Sequence, residues 1–448
     1  MARSSGRLRQ IVAAPLTWHL LSLGLGLVYI LALQHSQWFF FDEWAFLKVG
    51  GPGYLEPHVG HWSTSPMLVF HLLRDTLGLG GYMPFAVAVT LVHLATAHLV
   101  WRISLRAGAN AWIATTAVAV LVVLGSGGEN ILWGFQVGFL SAFALGLLAF
   151  LLADAPTLSA GRLAAITGVS VFSLTWSGTA IPLVVATAAL ILHRHQWRRA
   201  ALYAGICALV YGTWYLTFAL GNPNNPDTGG LGLEKVFIRI PQFLGVMLLL
   251  GWDSVFPFIG IGVAVLVALL AWLIVMWRRQ VRLKGFSLAL ILLGAAVLFA
   301  FMAAYSRAEW SIGAGRSSRY IYVLVALLLP LCAVALTRLV RERRPWLVTA
   351  CALLVALAGY QAWTLGEEAA RQAALEARSR ALISAALYLH RDSPVGVNPL
   401  AQPDAEWAPD VTLGDVVVLY ERGSLPVSDF SPEQLGEARV VVGLGSGT

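Results

Sequence analysis

Apolar runs of about twenty residues recur along this chain, and this feature constrains its fold more than any other. A helix of that length crosses the ~30 Å hydrocarbon core of a bilayer. Charged residues make up only 12% of the 448 residues, which is about half of the ~25% that is usual in soluble domains. The sequence therefore predicts an all-α polytopic membrane protein and excludes a soluble globular one.

The positions of these runs predict about eleven transmembrane helices. Their predicted boundaries are residues 11–33, 82–104, 110–126, 132–153, 162–177, 179–194, 200–219, 255–277, 286–304, 319–338 and 345–363.

Two further apolar segments, residues 62–79 and 235–252, fit a membrane crossing poorly. The first is short and contains Arg74 and Asp75, and the second contains Arg239. If either segment were a full crossing, later Arg-rich loops would move to the opposite side of the membrane. We therefore predict that both segments are interfacial or re-entrant helices on the outer face.

The basic residues indicate the orientation of the chain. With the N-terminus in the cytoplasm, 17 of the 24 basic residues before residue 366 fall on the cytoplasmic side, beginning with Arg3, Arg7 and Arg9. This distribution satisfies the positive-inside rule. We predict a multi-pass protein of the bacterial plasma (inner) membrane, with a cytoplasmic N-terminus and an extracytoplasmic C-terminus. Because the net charge of +7 lies in short loops that set topology, we expect no nucleic-acid partner.

The end of the chain, residues 366–448, differs in charge from the rest. It contains 12 acidic and 6 basic residues, a net charge of −6. Since the whole chain has a net charge of +7, residues 1–365 have a net charge of +13. An Ala-rich stretch, residues 367–390, predicts a helix, and two short apolar runs, residues 415–420 and 438–444, predict strands. We expect a transmembrane domain over residues 1–365 and a small extracytoplasmic α/β tail after it.

A group of arginines lies where the topology does not require positive charge. Arg307, Arg316 and Arg319 fall within YSRAEWSIGAGRSSRYIY on the predicted outer face, with Tyr320 beside the last of them. The planar guanidinium group of arginine can donate two parallel hydrogen bonds to two oxygens of one phosphate. The cluster therefore suits a lipid phosphate head group. The alternative is a loop that contacts ordinary anionic phospholipid.

Adjacent carboxylates follow the first predicted helix. Asp42 and Glu43 come directly after three phenylalanines, and His58, His61 and Trp62 follow in the same outer loop. A carboxylate at an apolar boundary has a raised pKa and can act as a general base. The aromatic side chains could stack on sugar rings or contact lipid. The alternative is an interfacial aromatic belt with a solvated acidic pair.

A third group of candidates lies in GSGGENILWGFQVGF, at the outer end of a predicted hairpin. Glu129 lies at the end of the hairpin, and Trp133 and Gln136 lie one turn apart on the helix that follows. Glu129 and Gln136 could therefore contact a ligand on the outer face. The alternative is a structural helix start with an aromatic anchor.

The acidic pair resembles the acidic motif of the GT-C fold glycosyltransferases, which follows the first membrane helix in that superfamily. The sequence GHW at residues 60–62 is similar to a His-containing motif of several bacterial members, and GRSSRY at residues 315–320 resembles their Arg-rich late loop. The arrangement resembles that of bacterial members of the mannosyl-, arabinosyl- and oligosaccharyltransferase type. The resemblance implies a GT-C-like membrane domain with interfacial helices in its outer loops.

The resemblance also implies a function and roles for the candidate residues. The donor would be a polyprenyl-phosphate-linked sugar, and the acceptor a cell-envelope glycan or lipid. Asp42, or else Glu43, would be the general base, Arg307, Arg316 and Arg319 would hold the donor phosphate, and His58 and His61 would orient phosphate or acceptor. We expect direct displacement with inversion at the anomeric carbon.

Members of the GT-C superfamily, which the sequence resembles, differ in whether they depend on a metal ion. A divalent cation, Mg²⁺ or Mn²⁺, is therefore a hypothesis for this chain. We assign no metal ligands, because the spacing of Asp42, His58 and His61 is weak evidence for a site and the three cysteines lie inside apolar runs.

Two other functions compete with glycosyl transfer. A transporter or flippase of lipid-linked sugars would use the same aromatic and basic residues, but it predicts polar residues near mid-membrane, and the apolar runs contain few charges. A non-catalytic membrane scaffold predicts that Asp42 and Glu43 can be replaced without loss of function.

Overall fold

A computed structural model describes residues 14–225, 230, 232–279, 287–340, 343–393 and 396–444. Arg3, Arg7 and Arg9, and the first residues of the predicted spans 11–33 and 286–304, lie outside these ranges. The described residues are mostly helical. Their only strands are Pro57–His58 and His61–Trp62, which form one short antiparallel hairpin.

Nine helices in the described ranges are long and apolar enough to cross a membrane. They are Pro15–Gln34, Met83–Arg106, Gly134–Ala153, Trp197–Ala219, Lys235–Val255, Ile261–Arg278, Ser287–Arg307, Ser318–Val340 and Arg344–Asp392. Three shorter apolar helices accompany them, Ala111–Val122, Ala160–Leu174 and Gly178–Arg194. Each of the eleven predicted spans corresponds to one of these twelve helices. The remaining helix, Lys235–Val255, is one of the two segments that we predicted to be interfacial or re-entrant.

The contacts of Lys235–Val255 support an interfacial position. Lys235 lies over the ring of Tyr305, with its Nζ atom 4.3 Å from the ring centroid, near the outer end of the helix Ser287–Arg307. At the other end, Gln361 Nε2 donates a hydrogen bond to the carbonyl of Val255. Tyr305 and Gln361 both lie near predicted outer ends of spans. The helix therefore extends along one face of the bundle, although its length and composition would also allow a crossing.

Small residues allow the membrane helices to approach closely, as is usual in lipid, where helix association depends on packing. A Cβ atom on Gly26 would lie 2.3 Å from Val122 Cγ1, and one on Gly146 would lie 2.7 Å from the side chain of Leu183. A Cβ atom on Gly125 would lie 2.5 Å from the backbone nitrogen of Leu365. Gly125 thus brings the last long helix against the outer end of the bundle.

That last helix, Arg344–Asp392, contains 49 residues without interruption. We call it the long C-terminal helix. At 1.5 Å per residue it extends roughly 73 Å, so it leaves the membrane and continues into the tail. Tyr29 Oη donates a hydrogen bond to its Ala362 carbonyl and ties it to the first span. The domain boundary that we predicted at residue 365 falls inside this continuous helix.

The prediction of two strands in the tail is wrong. The first run lies in the helix Leu413–Glu421, and residues 438–441 of the second run lie in the helix Pro432–Val441. Each helix begins with a capping box, in which Thr412 and Ser431 exchange side-chain hydrogen bonds with the third residue of the helix. The helices bury apolar side chains in a small cluster with the long C-terminal helix. Capping and this packing outweigh the β propensity of the valine runs.

Candidate active site

The first of two neighbouring cavities lies at the predicted outer face and has a volume of about 250 Å³. The loop after the first span, the hairpin at residues 57–62 and the segment before the helix Ser318–Val340 form its walls. It brings together most of the candidate residues from the sequence: Asp42, His58, His61, Gln136, Arg307, Arg319 and Tyr320.

Asp42 is the carboxylate that faces this cavity. It precedes the short helix Glu43–Leu47, and its side chain keeps 31% of its surface exposed. His58 Nε2 lies 3.6 Å from Asp42 Oδ1, which is longer than a hydrogen bond but close enough for electrostatic attraction when the imidazole is protonated. Asp42 therefore has both access to the cavity and an orienting neighbour.

Glu43 points the other way, into the protein. It is fully buried and accepts hydrogen bonds from the backbone N–H groups of Phe40 and Phe135 and from the Tyr82 hydroxyl. Burial raises the pKa of Glu43 well above its usual value, against the opposing effect of these hydrogen bonds. The geometry thus separates the two carboxylates that the sequence left equivalent: Asp42 lines the cavity and Glu43 supports the loop.

Two residues with a strained backbone lie near the first cavity, Phe41 directly before Asp42 and Val59 in the hairpin. Phe41 has φ of +46° and Val59 has φ of +48°, the only positive values among non-glycine residues of the described ranges. Such a conformation is unfavourable for bulky or β-branched side chains and is found mostly where surrounding contacts impose it. The Phe41 N–H donates a 2.7 Å hydrogen bond to the carbonyl of Trp407 in the tail. The tail therefore helps to hold the loop that carries Asp42.

His61 is a neutral group in this site. Burial first, and then the positive charge of Arg307, lowers the pKa of His61 to about 3. A Cβ atom on Gly178 would lie 3.0 Å from His61 Nδ1, so glycine at this position makes room for the ring. A neutral imidazole can donate one hydrogen bond and accept another.

The two arginines of the cavity are held from different directions. Arg307 Nη2 lies 3.5 Å from the Val59 carbonyl, and its guanidinium carbon lies 4.4 Å from the ring centroid of Trp310. The Arg319 backbone N–H donates to Glu129 Oε2, and the same oxygen lies 4.0 Å from Arg319 Nε. Glu129 therefore positions Arg319 rather than facing the first cavity.

Gln136 lies where a ligand in the first cavity could contact it. It lines the first cavity and is only 2% exposed, and its Oε1 has no hydrogen-bond partner among the described residues. The indole Nε1 of Trp176, which lines the same cavity, is also buried without a partner. Buried polar atoms are nearly always paired in folded proteins, so these two groups mark places where a ligand could bind.

Besides Glu43 and Glu129, two more candidates from the sequence lie outside this cavity. Arg316 is exposed and lines neither cavity. Trp62 stacks on Trp214, with ring centroids 5.1 Å apart, and its Nε1 donates to Thr64. Trp62 therefore anchors the hairpin instead of contacting a ligand in the cavity.

A second cavity, of about 380 Å³, adjoins the first. Asp42 and Arg319 line both, so the two cavities meet at these residues. Sequence reasoning treated Trp133 as an aromatic anchor of its turn, and it missed four of the other lining residues, Glu368, Arg371, Gln372 and Trp407. The i, i+3, i+4 spacing of Glu368, Arg371 and Gln372, which places them on one helix face, was the available signal.

The described residues do not form a metal site of their own. They contain no group of three or more His, Cys, Asp or Glu side chains placed to share a metal ion. Beside the first cavity, His58 Nε2 lies 3.6 Å from Asp42 Oδ1, and one carboxylate with one imidazole falls short of the oxygen-rich set that Mg²⁺ prefers. The divalent cation therefore stays a hypothesis.

Comparison with known proteins identifies the fold. No protein-family model and no curated protein sequence matches the chain. A crystal structure of ArnT from Cupriavidus metallidurans bound to undecaprenyl phosphate matches with a TM-score of 0.54 and 15% identity, over 95% of this chain and 88% of ArnT.

A second match is the archaeal oligosaccharyltransferase AglB from Archaeoglobus fulgidus, in complex with an inhibitory peptide and a dolichol-phosphate. It has a TM-score of 0.53 and 14% identity, and covers 95% of this chain but 63% of AglB. The chain therefore has the fold of these two structures, the GT-C fold. This confirms the resemblance at the level of the fold.

Proposed function

We propose that this protein is a membrane glycosyltransferase that moves a sugar from a polyprenyl-phosphate donor to a hydroxyl group of a cell-envelope acceptor on the extracytoplasmic face. One observation carries the proposal: a partly exposed carboxylate, Asp42, shares a cavity with Arg307 and Arg319. A base and two phosphate-binding cations in one cavity are the groups that displacement of a lipid phosphate requires.

The donor phosphate suits the side of the cavity that Arg307 and Arg319 form. Two guanidinium groups can bind phosphate oxygens and stabilise the negative charge that develops as the phosphate leaves. His61, which burial keeps neutral, can donate a hydrogen bond without adding charge. The fold is also that of two proteins whose structures contain undecaprenyl phosphate and dolichol-phosphate, which supports a polyprenyl-phosphate donor.

The reaction follows from these positions. Asp42 takes the proton of the acceptor hydroxyl while the hydroxyl oxygen bonds to the anomeric carbon of the sugar. The bond from that carbon to the phosphate oxygen breaks, and the electron pair leaves with the polyprenyl phosphate. Attack opposite the leaving group inverts the anomeric centre, so NMR analysis of the product should show an inverted configuration, and a retained configuration would exclude single displacement.

The test is transfer of labelled sugar from polyprenyl-phosphate donors, presented as a panel of hexosyl and pentosyl forms, to envelope acceptors in membranes. Asp42→Asn should lower transfer by about 10²–10⁴-fold, the usual contribution of a general base. Arg319→Gln should weaken transfer at low donor concentration, whereas Arg316→Gln, which makes the same charge change outside both cavities, should not. All variants are compared at equal membrane abundance.

Equal transfer by the native protein and Asp42→Asn would contradict the proposed base. In that case the two competing functions regain support. Movement of a lipid-linked sugar across proteoliposome membranes would then indicate a transporter, and its absence a scaffold.

A further inference from the structure

We infer that the second cavity binds a carbohydrate, and that the acceptor of this protein is therefore a sugar hydroxyl rather than a peptide or a lipid phosphate. The inference rests on the proposed function for the role of Asp42. It adds the chemical class of the acceptor and assigns the long C-terminal helix and the tail to its recognition.

The meeting point of the cavities supports two substrates that approach from different sides. Asp42 and Arg319 line both cavities, while Arg307 and His61 line only the first. A group held in the second cavity can thus place a hydroxyl at Asp42 while the first cavity contains the donor. The hydroxyl gives its proton to Asp42 as its oxygen bonds to the anomeric carbon, and the phosphate leaves with the bonding electrons.

Trp133 provides a buried donor without a partner. It lines the second cavity and is 5% exposed, and its Nε1 makes no hydrogen bond to any described residue. A buried indole N–H normally finds an acceptor. A hydroxyl oxygen of a bound sugar would supply one.

The long C-terminal helix contributes both donors and acceptors to the same cavity. Glu368, Arg371 and Gln372 lie on one helix face, and Arg371 Nη2 lies 2.5 Å from Glu368 Oε1. Gln372 is only 7% exposed. A hydroxyl group both donates and accepts hydrogen bonds, so a polyol matches a wall that mixes carboxylate, amide and guanidinium groups.

The balance of charge disfavours an anionic occupant. Three carboxylates, those of Asp42, Glu129 and Glu368, line the second cavity against two guanidinium groups, those of Arg319 and Arg371. Both arginines are already near a carboxylate. A phosphate would meet net negative charge there, whereas a neutral sugar would not.

Aromatic rings supply the apolar part of the site. Trp133 stacks on Phe40 with ring centroids 5.0 Å apart, and Trp407 of the tail lies 5.2 Å from Phe41. All four residues line the second cavity. Small-molecule sites combine such apolar surfaces with a few placed polar groups, and the C–H face of a sugar ring packs well on aromatic side chains.

The test uses purified full-length protein in detergent and saturation-transfer NMR with three probes: a panel of methyl glycosides, N-acetylthreonine amide, and glycerol phosphate. We expect signals from one or more methyl glycosides and not from the other two. A signal from the threonine amide alone would indicate a peptide acceptor, and a signal from glycerol phosphate alone would indicate a lipid head group. The absence of a signal from every glycoside would overturn the inference.

Matched variants locate the binding. Trp133→Phe removes the indole N–H and keeps an aromatic ring, and it should weaken glycoside binding about fivefold. Trp346→Phe makes the same change at an exposed position outside both cavities and should leave glycoside binding unchanged. Arg371→Gln should weaken binding, and Arg378→Gln, which lies on the same helix and pairs with Glu437 outside the cavity, should not. Equal binding by Trp133→Phe and the native protein would refute this site.

Undecaprenyl phosphate separates this inference from the proposed function. Its binding to the same samples should be weakened by Arg307→Gln and not by Arg371→Gln. If undecaprenyl phosphate binds and no glycoside does, the carbohydrate inference fails while the proposed donor stands. If glycosides bind and undecaprenyl phosphate does not, the proposed donor fails while the carbohydrate site stands.

Discussion

Replacement of Glu43 by glutamine should destabilise the protein and leave its chemistry intact, whereas replacement of Asp42 by asparagine should do the reverse. Glu43 is fully buried and accepts three hydrogen bonds, while Asp42 faces the cavities with 31% of its side chain exposed. The two neighbouring carboxylates thus differ in what they contact, and the paired variants test that difference directly.

The magnitude follows from the donors around Glu43. Its Oε1 accepts from the Tyr82 hydroxyl and the Phe135 N–H, and its Oε2 accepts from the Phe40 N–H. In Glu43→Gln the amide oxygen can keep the first two bonds, but the amide NH₂ then faces the Phe40 N–H. A buried donor left without an acceptor costs about 1–3 kcal/mol, so we expect that loss in the free energy of unfolding.

The pH dependence of unfolding gives a second readout. Burial raises the pKa of Glu43 in the folded state above its unfolded value. The proton bound by Glu43 therefore stabilises the folded protein at low pH, and this contribution is lost as pH rises through the folded-state pKa. Glutamine does not titrate, so the thermal midpoint of Glu43→Gln should fall less than that of the native protein as pH rises above about 5.

The assay combines thermal unfolding in detergent across pH with sugar transfer at equal amounts of folded protein. We expect a lowered midpoint with near-native transfer for Glu43→Gln, and a native midpoint with transfer reduced by about 10²–10⁴-fold for Asp42→Asn. A Glu43→Gln protein of native stability that transfers no sugar, beside an active Asp42→Asn protein, would refute the assignment of roles.

Three further expectations concern the hairpin and its surroundings. Gly178→Ala would place a Cβ atom 3.0 Å from His61 Nδ1 and should weaken undecaprenyl phosphate binding, while Gly168→Ala, which meets open space, should not; equal effects would contradict the packing argument. Val59→Asn should raise the free energy of unfolding by about 1 kcal/mol, because asparagine tolerates positive φ better than a β-branched residue does. A loss of stability in thermal unfolding would show that the contacts of the valine side chain outweigh the backbone strain. His61 has its pKa lowered from 6.5 to about 3, so its contribution to stability is present above pH 6.5 and lost as pH falls toward 3, and His61→Gln should flatten that acid limb of the unfolding curve.

Much of the membrane architecture could be predicted from the sequence, because length and hydropathy decide which segments can cross a bilayer. Asp42, Arg307 and Arg319 line one cavity, and the side of the membrane that this cavity faces stays a prediction from the basic loops. The sequence alone could not show whether Asp42 or Glu43 faces the cavity. The answer depends on the turn before Glu43–Leu47 and on three hydrogen-bond donors, two of which lie 39 and 92 residues away along the chain.

The second cavity was missed for a similar reason. Its residues come from segments as distant as Phe40, Trp133 and Trp407, and no local pattern indicates that they meet. The tail strands were mispredicted because a valine-rich run of six or seven residues suits a strand as well as a helix. The capping boxes at Thr412 and Ser431 were visible in the sequence, and they would have indicated helices.

The long C-terminal helix is continuous, so the direction in which its tail residues point is fixed by the rotation of its first half about the helix axis. Each residue turns an α-helix by about 100° and advances it by 1.5 Å. One residue inserted near Thr364 would therefore swing Arg371 and Gln372 away from Asp42, whereas seven would restore their direction but displace them by about 10 Å. A chimaera that exchanges the tail for that of a relative will rebuild the second cavity only when the junction preserves both helical phase and length.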